Sequence, residues 1–239
     1  MIEHRPFNAL QSSDLGWLKA KHHFSFTDPT AGWGAIRIWN DDMISPDSGF
    51  APHPHVDMEI VTFVRQGAVT HRDSMGNTGR TETGDVQVMS AGSGIRHSEY
   101  NKEPGLTHIF QIWITPEAAG GTPAWGTKPF PKVDRAGRLV VLASGFESDA
   151  DALPIRAKAR VLGATLLQGQ TLDYDAAGGR YLYVVAADGL LSVNGVRLET
   201  RDGAAIKDEL RLTFTALEDC EFVLVDAPEA RAVVRAKAA

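Results

Sequence analysis

Ser48-Gly49-Phe50-Ala51-Pro52-His53-Pro54-His55-Val56-Asp57-Met58-Glu59-Ile60 is the stretch on which the fold turns. Two histidines one residue apart diverge by about 200° on a helix, but on a strand they point to one face and can share an ion. Ile60-Val61-Thr62-Phe63-Val64 follows, β-branched or aromatic throughout, and predicts a strand. Neutral imidazole is the commonest metal ligand, so the H-x-H pair is a candidate half-site.

The next segments extend the β pattern. Met58 to Gln66 predicts a strand ending at Gly67, and Ala68 to Asp73 continues to a turn at Ser74-Met75-Gly76-Asn77. Gly79 to Thr83 returns, Gly84-Asp85 turns again, and Val86-Gln87-Val88-Met89 is a further strand. His71 reads as an exposed strand residue near a hairpin tip. Ser90-Ala91-Gly92-Ser93-Gly94-Ile95-Arg96-His97-Ser98-Glu99-Tyr100-Asn101 then repeats the alternation of the first pair, so His97 and Glu99 share a face if this segment is extended. The two pairs lie 44 residues apart and can meet across a small barrel. Three imidazoles and a carboxylate form an N/O set suited to a first-row divalent metal with open positions.

Gly49, His53-x-His55-x₃-Glu59 and Gly67, followed by Gly84, Gly92 and His97-x₃-Asn101, resemble the two motifs of the cupin superfamily, a jelly-roll β-barrel fold. Phe50 to Ile60, Asp73 to Asn77 and Met89 to Asn101 are similar to pirin-family proteins, closest to the bacterial pirin-like branch. His22-His23-Phe24-Ser25-Phe26 and His108 to Ile114 add to the likeness, which is dense over residues 17–116. It implies an all-β chain of two cupin barrels packed as a bicupin: residues 1–130 a metal-binding domain, residues 131–239 a cupin-like domain without ligands. It also settles the carboxylate. A generic cupin would use Glu59, whereas pirin-like proteins take the one two residues after the second-motif histidine, here Glu99. The implied ligands are His53, His55, His97 and Glu99, with Glu99 also the candidate base. Glu59, His22 and His108 are expected around the ligands, and Phe26, Met89 and Gln111 along a substrate pocket.

The second half supports the duplication. Tyr181 to Gly195 parallels Ile60 to His71, each an apolar strand reaching a glycine turn and then a hairpin, and Asn194-Gly195 is a strong two-residue turn. Ala118 to Pro131, rich in Gly, Pro and Thr, reads as the connection between domains, and Ala227 to Ala239 as a short helix or a tail. All eight histidines lie at or before position 108, so the second barrel has no histidine site and one metal ion per chain is expected.

Composition excludes several classes. A net charge of −6 argues against direct nucleic-acid binding. No apolar run is long enough to cross a bilayer, and the first residues lack a signal-peptide core. One cysteine, Cys220, precludes an internal disulfide, reads as a buried strand residue and fits a cytoplasmic protein. The resemblance implies Fe(II), in a set that Zn, Ni, Cu, Mn or Co would also fit, and a quercetin 2,3-dioxygenase acting on a flavonol and O₂. The alternatives are an iron-dependent redox-sensing regulator working through a protein partner, and a cupin that binds a small molecule without turnover.

Overall fold

The computed structural model describes residues 1–25 and 32–230, so Phe26 and the tail beyond residue 230 lie outside the described residues. Among the described residues, twenty-two strands account for nearly all regular structure. In chain order they are β1 (Ile2–Arg5), β2 (Gln11–Asp14), β3 (Leu18–Phe24), β4 (Ile36–Ile44), β5 (Ser48–His55), β6 (Glu59–Gln66), β7 (Ala68–Asp73) and β8 (Thr78–Glu82). β9 (Val86–Ser90), β10 (Ile95–Asn101), β11 (Thr107–Ile114) and β12 (Ala124–Lys128) complete the first half. The second half holds β13 (Val140–Ser144), β14 (Leu153–Pro154), β15 (Arg160–Leu166), β16 (Thr171–Asp175), β17 (Tyr181–Asp188) and β18 (Leu191–Val193). It ends with β19 (Val196–Leu198), β20 (Gly203–Lys207), β21 (Arg211–Ala216) and β22 (Cys220–Ala227).

Each barrel pairs a seven-stranded sheet with a four-stranded one. The first uses β12-β9-β6-β11-β4-β3-β2 and β5-β10-β7-β8; the second uses β1-β20-β17-β22-β15-β13-β14 and β16-β21-β18-β19. The two cupin-type domains form the expected bicupin. One strand departs from the 1–130 and 131–239 division. β1 pairs with β20, Ile2 opposite Ile206, so the chain starts in the second barrel and then crosses to the first.

Strand parity separates the layers. On β6, Ile60, Thr62 and Val64 face the first barrel's interior, while Val61 and Phe63 join Phe110, Ile112, Tyr183, Val223 and Val225 in a core between the two large sheets. On β17 the same alternation sends Leu182, Val184 and Ala186 into the second barrel. That interior is mainly hydrocarbon, with Cys220 among its residues, and is closed by Leu191, Leu212 and Phe214 from the small sheet. The first barrel instead has two small apolar clusters, one around Val64 and Val69 and one around Ile60 and Met89. Polar side chains stand between them.

Candidate metal centre

β5 and β10 are neighbours in the small sheet, with His97 opposite His53 and Ile95 opposite His55. The two motif pairs therefore meet side by side on adjacent strands, not across the barrel. The register slips between His97 and Glu99, a local irregularity that re-aims the carboxylate relative to the imidazoles. One ligand atom from each of His53, His55 and His97 lies within 4.8 Å of the others. His53 Nδ1 donates to the Ala51 carbonyl at 2.8 Å, so its Nε2 lone pair faces His97 Nε2 at 3.2 Å.

Glu99 sits deeper, 1% exposed, and belongs with His97 and His71 in a second set of the same 4.8 Å span. Three side chains donate to it: Thr62 Oγ1 at 3.3 Å and Gln87 Nε2 on Oε1, and Gln111 Nε2 at 2.7 Å on Oε2. Both amides are oriented from behind. Trp125 Nε1 donates to Gln87 Oε1 and Trp113 Nε1 to Gln111 Oε1, each at 3.2 Å, which turns the amide nitrogens toward Glu99. The same indoles wall the imidazoles. Trp113 meets His55 edge-on with centroids 4.8 Å apart, and Trp125 stacks on His71 at 4.8 Å and 7°. Gly79, opposite His71 on β8, leaves that space: a Cβ there would lie 2.2 Å from the Trp125 ring.

Electrostatics favour the neutral form of His55 and His97. Burial first, then repulsion from His53 and its neighbours, pushes His97 down to about 2, and burial with repulsion from His53 brings His55 to about 4. Burial pushes Glu99 up to about 7, against the three hydrogen bonds that favour its charged form. His55 Nε2 is buried without a partner. Three clustered imidazoles, one with a buried nitrogen that has no partner, and a carboxyl that a nearby cation would ionise form a set that fits a divalent metal.

Other expected residues go elsewhere. Glu59 shares the parity of His53 only on an unbroken strand, but the chain turns between β5 and β6, with Asp57 at φ 50°, and passes from the small sheet to the large one. Its carboxylate consequently faces the second barrel, accepting from Ser90 Oγ at 2.5 Å and the Arg156 amide at 3.1 Å. His22 is bound by Asn40 at 2.8 Å and Ser13 at 2.9 Å, toward the far edge of the large sheet. His108 lies near the Arg65, Asp41 and Arg201 charges. Neither His22 nor His108 joins the cluster. Met89 packs with Ile60 and Ile95 beside Trp113 and Trp125, and Gln111 touches Glu99.

His71 corrects the reading of an exposed tip. It is fully buried, its Nε2 is 3.0 Å from Asp73 Oδ2, and its ring centroid is 5.4 Å from that of His97. Thr62, Gln87, Trp113 and Trp125 were also not foreseen.

The pirin family pattern matches residues 3–114, and the quercetinase C-terminal cupin domain matches residues 141–227. The pirin-like protein of Caulobacter vibrioides is 64% identical, across 95% of this chain and all of that one. The chain belongs to the pirin family. The quercetin 2,3-dioxygenase of Escherichia coli K12 is 39% identical over 95% of this chain and 99% of its own. Among solved structures, the bacterial pirin YhhW of Escherichia coli in complex with nickel(II) superposes with a TM-score of 0.89. It shares 37% identity, over 96% of this chain and all of that one.

Proposed function

We propose that this pirin is a metal-dependent dioxygenase that opens the ring of a quercetin-like flavonol. The observation that carries the reading is the convergence of three imidazoles beside a buried carboxyl that accepts three side-chain hydrogen bonds. His53, His55, His97 and Glu99 would hold one divalent ion, which we assign as Fe(II). The nickel complex of the YhhW relative and the dioxygenase name of the Escherichia coli relative support it. When bound, the metal supplies Lewis-acid and template chemistry toward an enolate oxygen and O₂.

The chain's own groups supply the rest. Glu99, ionised beside the bound metal, would take the flavonol hydroxyl proton and return one to the product. Gln87, Gln111 and Thr62 hold that carboxylate in place while its charge changes. Trp113, Trp125 and Met89 form an apolar wall suited to a flat aromatic substrate. In the overall reaction both atoms of O₂ enter the ring-opened product and one ring carbon leaves as carbon monoxide. The lone, buried Cys220 supports a cytoplasmic setting.

The test is aerobic incubation of iron-loaded protein with quercetin, following loss of the flavonol absorbance. Turnover that disappears in His55→Ala is expected. Absence of turnover by metal-replete protein, or equal turnover by the variant, removes the dioxygenase reading.

A further inference from the structure

The strands that carry the imidazoles have a second face. On β10, His97 and Glu99 point into the barrel, so Arg96, Ser98 and Tyr100 point out, with Lys102 just beyond. On β7, Arg72 stands opposite Ser98 and Thr70 opposite Tyr100. These outward residues line a surface groove of about 570 Å³, to which His97 and Asp73 of the same strands also contribute.

Its charge is unbalanced. Elsewhere arginines hold carboxylates: Arg65 and Arg201 hold Asp41, Arg180 holds Asp226, and Arg160 holds Asp149. Arg72, Arg96 and Lys102 have no carboxylate partner among the described residues. Arg96 Nη2 donates to the Pro52 carbonyl at 2.9 Å, which fixes the guanidinium over the groove and leaves its other donors free. The acids nearby are committed. Asp73 turns inward to His71 and Asn77, and Glu103 is taken by Arg80 at 2.9 Å. Three cations in one concavity of a chain carrying −6 concentrate positive potential against the molecule's overall sign.

We propose that this groove is a binding site for small phosphorylated anions of the pyrophosphate class, on the outer face of the strands whose inner face carries the imidazoles. Two guanidinium forks and an ammonium match two linked phosphates bearing two to three negative charges. The hydroxyls of Thr70 and Ser98 offer donors to the remaining oxygens.

The test is calorimetric titration of the full-length protein with inorganic pyrophosphate, ADP and citrate at low salt. Pyrophosphate and ADP are expected to bind, and each of Arg72→Ala and Arg96→Ala to weaken both about tenfold. Arg197→Ala, which removes one exposed charge from the second barrel, should change neither. Tighter binding of ADP marks a phosphate ester as the ligand, and equal binding marks free pyrophosphate; either supports the site. Binding should persist in His55→Ala and in metal-stripped wild-type protein. Binding lost there but indifferent to the two arginines would put the anion on the metal centre and overturn the assignment. So would citrate binding as tightly as pyrophosphate, or no binding of either phosphate at millimolar concentration.

Discussion

The two barrels share one architecture and fill it in opposite ways. In the second, inward positions from both sheets are chiefly Leu, Val, Ala, Ile and Phe, with Cys220 among them, and Phe214 stacks on Phe222 at 4.7 Å. In the first, the corresponding space holds three clustered imidazoles, a fourth on His71, and Glu99, Gln87 and Gln111, with apolar clusters above and below. A buried polar group must find partners or lose stability. The first barrel supplies partners for Glu99 from three strands and leaves lone pairs that a cation would satisfy. The duplicated fold thus packs one copy with an apolar core and fills the other with clustered polar side chains.

His55→Ala should break the chemical copy outright. Metal content should fall from about one ion per chain to near zero, and affinity by well over the 100-fold that supporting residues command. Elemental analysis after gel filtration checks it. Phe214→Ala should act in the opposite sense. It is expected to destabilise the chain by about 3–5 kcal/mol in chemical denaturation while metal stoichiometry stays unchanged.

The comparison was partly legible in the chain itself. The motif spacing and the want of histidine after position 108 place the cluster in the first barrel and leave the second without one. Parity alone would have turned His71 inward: it shares a face with the buried Val69, while Thr70 and Arg72 share the other. Gln87 could not be found that way, because Val86 and Val88 flank it and both faces of β9 are buried. Trp125 reaches the site through pairing with Met89 and the opening left by Gly79, and register of this kind has no local sequence signature. Glu59 misled for a related reason. The turn at Asp57 moves the chain from one sheet to the other and resets its parity.

A pH series sharpens the account of Glu99. In the metal-free protein this carboxyl keeps its proton up to about 7, against an ordinary value of 4.5 in the unfolded chain. The unfolded state therefore gains by ionising first, and stability from this group falls as pH rises from about 4.5 to about 7, by at most about 3 kcal/mol. His55 and His97, held neutral, act in the opposite direction as pH rises toward 6.5. Subtracting the profile of metal-free Glu99→Gln cancels them, so wild type should lose stability relative to the variant across that window. A flat difference would mean that Glu99 is not held protonated. Gln111→Leu should have the smallest effect, weakening metal binding about tenfold by freeing one carboxylate oxygen from its donor, read by competition with a chelating dye.

We propose one metal centre per chain, built by the first barrel alone. Its most direct test is a stoichiometric titration of the metal-stripped protein with Fe(II) under anaerobic conditions, alongside His53→Ala. Saturation is expected at about one ion per chain in wild type, with none bound by the variant. Saturation at two ions, or one ion retained by His53→Ala, would contradict it.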